Sequence, residues 1–234
     1  MKKHVLISIF IFTLLASATV AEAFVPTEEY TTRNICGWNV LISPDLAAQP
    51  ELDRKAMGML ELQLAQIEIV VPPEAVERLK TVKIWIQADE KSPAGACFHP
   101  SEQWLREHGV NPDKAGAVDI QNARGMLTEY DRQPMLVLHE LAHAYHFHFL
   151  PDGFDNADVQ RARTAALEAG RYKSVLSYWQ QTEPAYASTN PQEYFAELTE
   201  CYFGENDFYP FVKTEFREYD PDGFAMIEAL WGVK

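Results

Sequence analysis

Gln133-Pro134-Met135-Leu136-Val137-Leu138-His139-Glu140-Leu141-Ala142-His143-Ala144-Tyr145-His146-Phe147-His148-Phe149 has the periodicity of one long helix. Within it, His139 and His143 stand four residues apart, so both imidazoles lie on one helical face and can reach a single ion. Leu138, Leu141, Ala142, Tyr145 and Phe149 form the apolar flank that buries such a helix. Zinc accepts neutral imidazole nitrogens, and its catalytic sites keep one position open. Glu140, turned about 100° from His139 on the helical wheel, can face water at that open position without being a ligand. That is where a general base is needed. The pattern predicts a zinc centre, one ion per chain, with His139 and His143 as ligands. His146 shares the face, but seven residues of helix separate it from His139 by about 10 Å, too far for one ion to bind His139, His143 and His146 together. His146 is therefore expected beside the ligands, in a supporting position, or at the surface, and His148 at the surface.

Outward from this helix, 35–43 and 81–88 are β-branched and aromatic runs of strand length, and 117–124 suits a third strand. Between the first two, 50–70 has the apolar spacing of a helix packed on a sheet, stopped by Pro72-Pro73. Residues 74–80 read as a short amphipathic turn, and 104–107 as a short helix closed by Gly109. Helical patterns follow at 156–169, 190–203 and 222–230. The fold class expected is α+β: a mixed strand–helix N-terminal half packed on a mainly helical C-terminal half carrying the HExxH helix. Residues 24–234 read as a single domain.

The start of the chain has a different character. Met1-Lys2-Lys3-His4 is basic, Val5 to Val20 is almost wholly apolar, and Ala21-Glu22-Ala23 supplies small residues where a signal peptidase cleaves. Residues 1–23 therefore read as a signal peptide, which makes the protein exported, either secreted or periplasmic, with no stable membrane association after cleavage. Lys+Arg 20 against Asp+Glu 34 gives a net charge of −14 with no basic run, which excludes nucleic acid as a partner. In an oxidising compartment Cys36, Cys97 and Cys201 allow one disulfide at most, or serve as small buried hydrophobes. Cys97, in Gly95-Ala96-Cys97-Phe98-His99-Pro100, is also a candidate for a position near a metal.

The third ligand has to come from outside the helix. Glu168 lies on the next helical segment, while Glu193 and Glu197 lie on one that begins with Asn190 as N-cap and Pro191 at the first position. Glu193, Glu197 and Glu200 form a stripe beside the apolar Tyr194, Leu198, Cys201 and Tyr202. Such a stripe is equally the pattern of a solvated face, and spacing leaves the choice open.

His139-Glu140-Leu141-Ala142-His143 followed by Tyr186-Ala187-Ser188-Thr189-Asn190-Pro191-Gln192-Glu193-Tyr194-Phe195-Ala196-Glu197 resembles the anthrax lethal factor-type (gluzincin) zinc metallopeptidases, which include secreted Pro-Pro endopeptidases. The resemblance covers about residues 135–203. It implies His139, His143 and Glu193 as zinc ligands, Glu140 as base, Tyr186 as the oxyanion donor and Glu197 beside the ligands. The implied activity is hydrolysis of a peptide or protein substrate by an exported endopeptidase. The alternative is an exported zinc-binding or regulatory module without turnover. One departure is His146-Phe147, where some members carry an acidic residue, and Glu197 could serve instead.

The five tryptophans, Trp38, Trp85, Trp104, Trp179 and Trp231, are expected as packing anchors. Residues 173–179 suit an edge strand onto which an extended substrate adds, with 151–156 and 180–185 bordering the cleft.

Overall fold

The structure is a computed structural model, and it describes residues 24–88 and 95–233. The expected signal segment, 1–23, lies outside the described residues. The chain is a mixed α+β protein with ten α-helices and a five-stranded mixed sheet among the described residues.

The sheet begins with a hairpin, β1 (Thr31–Ile35) and β2 (Trp38–Ile42), paired antiparallel with Ile35 opposite Trp38. The run at 35–43 is therefore not one strand. Cys36 and Gly37 both take positive φ, 48° and 89°, which makes a two-residue type I′ turn whose twist matches the flanking strands. After α1 (Pro44–Ala47), α2 (Pro50–Val70) and α3 (Pro73–Leu79), β3 (Ile84–Ile86) joins β2 in parallel. Next come β4 (Cys97–Phe98), α4 (Glu102–Glu107) and β5 (Val118–Ile120), giving the order β1-β2-β3-β5-β4 with β4 antiparallel at one end. The third strand stops at Ile120 because the Asn122 side chain caps α5 (Ala123–Thr128), accepting from Gly125 N at 2.8 Å.

The C-terminal half contains α6 (Leu136–Phe149), α7 (Ala157–Glu168), α8 (Pro191–Phe203), α9 (Lys213–Tyr219) and α10 (Pro221–Trp231). Segment 173–179 is not an edge strand of the main sheet. Only Val175–Leu176 (β6) is extended, and it pairs with Thr182–Glu183 (β7) in a separate hairpin. Ser177 and Gln180 close its turn, Gln180 N donating to Ser177 O at 2.9 Å.

Alternation along the central strands divides the core. Ile84, Ile86, Val118 and Ile120 face the helices, in a buried apolar cluster that runs from Trp38 to Trp231. Trp85 points to the other face, where Tyr30, Leu41 and Ala117 cover it. Trp38, Trp85 and Trp231 are buried anchors, whereas Trp104 and Trp179 are exposed. The three cysteines are free thiols, Cys201 buried and Cys36 and Cys97 half-buried. Among the described residues no helix is long and apolar enough to cross a membrane.

Candidate metal centre

Two helices bring the ligand candidates together, and tertiary contacts fix both. The N-terminus of α6 has no side-chain cap of its own, so its first N–H groups need partners from elsewhere. Gln63 of α2 supplies one: its buried Oε1 accepts from Val137 N at 3.0 Å. On α8 the start is local, because Asn190 Oδ1 accepts from Glu193 N at 2.8 Å and Pro191 fits the first turn. Trp231 of α10 ties the two together. Its ring stacks on Tyr145 of α6 at 4.1 Å and on Phe195 of α8 at 5.9 Å, and its Nε1 donates to Thr199 Oγ1 at 3.0 Å.

The result is three donor atoms around one point. His139 Nε2 and His143 Nε2 are 3.1 Å apart, and each lies 3.2 Å from Glu193 Oε2. Donors bonded at about 2.0–2.1 Å in a tetrahedron stand roughly 3.3 Å from each other, so this triangle is close to one face of a zinc-sized coordination shell. His139, His143 and Glu193 thus form a group that can hold a metal ion. Glu168, the other ligand candidate, is exposed at the end of α7 and belongs to no such group.

The acidic stripe of α8 is not a solvated face. Glu197 is 1 % exposed and Glu200 0 %, both turned toward α6. Glu200 Oε1 is 2.5 Å from His139 Nδ1, while Glu197 Oε1 is 4.0 Å away. The residue that orients His139 is therefore Glu200 rather than Glu197. With Nδ1–H donated to Glu200, the lone pair of His139 is left on Nε2, facing the other two donors, as a ligating histidine requires. Glu200 escaped the sequence reading as a partner because an acid on this helix has no local mark telling a buried contact from a solvated one. Behind it, Arg132 pairs with Asp207 at 2.7 Å and with Glu129 at 2.8 Å, joining the loop after α5 to the loop after α8.

Electrostatics follow from this crowding of acids. Burial alone disfavours the His139 cation, but Glu200, Glu193 and Glu140 outweigh it and hold its proton affinity well above the ordinary histidine value. A point that attracts a proton this strongly attracts a divalent cation for the same reason. Burial raises Glu193, yet its contacts with His139 and His143 prevail and keep it ionised, far below the usual carboxylate value. Burial raises Glu197 well above that value, with Glu200 and Asp207 adding to the effect. Asp207 is pushed up to about 6, chiefly by burial and by Glu200.

Glu140 is buried on the same helix, and burial raises its pKa while His139 and His143 oppose the rise. It is not one of the three donors of the metal-binding group. Tyr186 sits on the single helical turn that precedes α8 and is half-exposed. Burial raises its hydroxyl, and Glu193 and Glu140 raise it further against the opposing His139, so it lies within their field. His146 is fully buried, packed against Phe154 and Phe195. His148 is exposed, with Nε2 2.9 Å from Gly116 O.

Compared with family models, with curated proteins and with solved structures, the chain matches none.

Proposed function

We propose that the chain is an exported zinc-dependent peptidase that cleaves within peptide chains, with zinc held by His139, His143 and Glu193. The observation that carries this reading is the triangle of two imidazoles and one carboxylate beside an uncommitted buried carboxylate, Glu140. The resemblance of the HELAH and Tyr186–Glu197 segments to lethal factor-type peptidases points the same way, and the apolar, small-residue-terminated start at 1–23 supports export.

Held by His139, His143 and Glu193, zinc would supply Lewis acidity for the scissile carbonyl and for the attacking water. The chain's own groups do the rest. Glu140 accepts the proton from the attacking water on a carboxylate oxygen and delivers it to the leaving amine nitrogen. The Tyr186 hydroxyl donates to the carbonyl oxygen as negative charge develops there. Glu200 holds the His139 ring in the tautomer that ligation needs. An extended substrate would add at β4, which among the described residues is the end strand of the sheet and packs against α6.

The test is a diverse peptide library incubated with zinc-loaded protein and read by mass spectrometry. Internal cleavages are expected from the wild type and none from Glu140→Gln or from chelated enzyme. Turnover that survives in metal-loaded Glu140→Gln would falsify the assignment of the base. Tight zinc binding with no cleavage of any substrate would instead mark a non-catalytic zinc module.

A further inference from the structure

Across the sheet from α6 lies a second cluster of metal-ligating side chains that the proposed reaction does not use. Cys97 pairs with Asp119 across β4 and β5, which places both side chains on the face that Trp85 also occupies. Asp119 Oδ2 is 3.1 Å from His99 Nε2, and Cys97 Sγ is 3.4 Å from the same nitrogen. His99 and Asp119 are buried and Cys97 is half-buried. A hydrogen on Nε2 reaches the sulfur and the oxygen only as a shared, three-centre bond. A cation between the three donors accounts for both contacts directly. With bonds of about 2.3 Å to sulfur and 2.0–2.1 Å to nitrogen and oxygen, tetrahedral edges are roughly 3.6 and 3.3 Å, close to the two separations found.

We infer that Cys97, His99 and Asp119 form a second metal site, selective for a thiophilic divalent cation such as Zn2+ or Cd2+. The surrounding donors already orient the ligands. Gln121 Nε2 donates to Cys97 Sγ at 3.2 Å, and Gln87 Nε2 donates to Asp119 Oδ1 at 3.2 Å. The ring of Trp104 lies over His99, 25° from parallel with centroids 6.2 Å apart, and limits its rotation.

Charge sets the rank of the two sites. Lys114, itself buried, reaches both oxygens of Asp119 at 2.9 and 2.8 Å. Thiolate and carboxylate bring two negative charges; a divalent cation and Lys114 bring three positive ones. Among the described residues no lysine contacts the His139 centre, which is lined by Glu193, Glu140 and Glu200. The Cys97 site therefore fills second and exchanges its ion more readily. On binding, the thiol releases its proton to solvent.

The experiment titrates zinc-loaded protein with Cd2+ and follows the thiolate-to-cadmium charge-transfer absorption in the ultraviolet. Cadmium entering the His139 centre gives no such band, because that centre has no sulfur. The expected result is a band that saturates at one Cd2+ per chain, persists in Cys36→Ser and disappears in Cys97→Ser. His99→Gln is expected to weaken the binding at least tenfold. The band is also expected in His143→Ala, so its fate is independent of the peptidase reading. Absence of the band in the wild type, or its survival unchanged in Cys97→Ser shown by circular dichroism to be folded, overturns the second site.

Discussion

His146 offers a direct test of how the helix that holds His139 and His143 is buried. Its ring is 0 % exposed, and neither nitrogen has a hydrogen-bond partner among the described residues. Burial, with a smaller contribution from His143, pulls its pKa from 6.5 down to about 4. The folded protein therefore keeps it neutral over a range in which the unfolded chain binds a proton. Between these two values the unfolded state holds more protons, so stability rises with pH and is lost as pH falls through this window. Linkage with the two pKa values gives a loss of about 2 kcal/mol at pH 5 and about 3 kcal/mol at pH 4. Other groups titrate there too, so the quantity to measure is a difference. Urea unfolding of the wild type and of His146→Phe, both with chelator present, gives the two stabilities at pH 7 and pH 5. The advantage of His146→Phe over wild type is expected to grow by about 2 kcal/mol between pH 7 and pH 5, with equal m-values. Curves that stay parallel within about 0.5 kcal/mol would refute the neutral, unpaired state of this ring.

Other perturbations address the remaining contacts. Glu200→Gln removes the carboxylate that orients His139 and is expected to weaken zinc binding about 10–100-fold in a competition with a chromophoric chelator. Glu197→Gln, acting from 4.0 Å, is expected to do less, and the reverse order would return the orienting role to Glu197. Tyr186→Phe is expected to lower kcat about 10²–10³-fold at nearly constant KM, and an unchanged kcat would restore Tyr186 to an ordinary loop residue. Lys114→Met leaves Asp119 charged and buried without its cation, and is expected to cost about 3–5 kcal/mol in urea unfolding. A cost below about 1 kcal/mol would refute a structural role for this buried ion pair.

The parts legible in the sequence are those whose determinants are local. The helix at 136–149 follows from its apolar period, and the start of α8 follows from Asn190 and Pro191, which satisfy the first turn without help from the rest of the chain. The i, i+4 placement of His139 and His143 on one face is a property of any α-helix. The small sheet elements were less legible. Cys36-Gly37 carries only one glycine to mark a reversal, so 35–43 reads as one run across the turn and β1 before it goes unmarked. Two-residue strands such as β4 and β6 are too short to show alternation at all.

Sequence by itself determined the helix, its two histidines, the base candidate between them and the chain's acidity. Spacing left Glu168 and Glu193 open and the resemblance favoured Glu193, which the tertiary structure brings to those histidines; only the tertiary structure decided that Glu200 rather than Glu197 holds His139 and that the acidic stripe is buried. It also decided that Gln63 of α2 caps α6 and that Trp231 clamps α6 to α8. The physical reason is common to all of these. A residue's place on its own helix follows from 3.6-residue geometry, but the identity of what it faces depends on how helices far apart in the chain pack together, and no local periodicity encodes that.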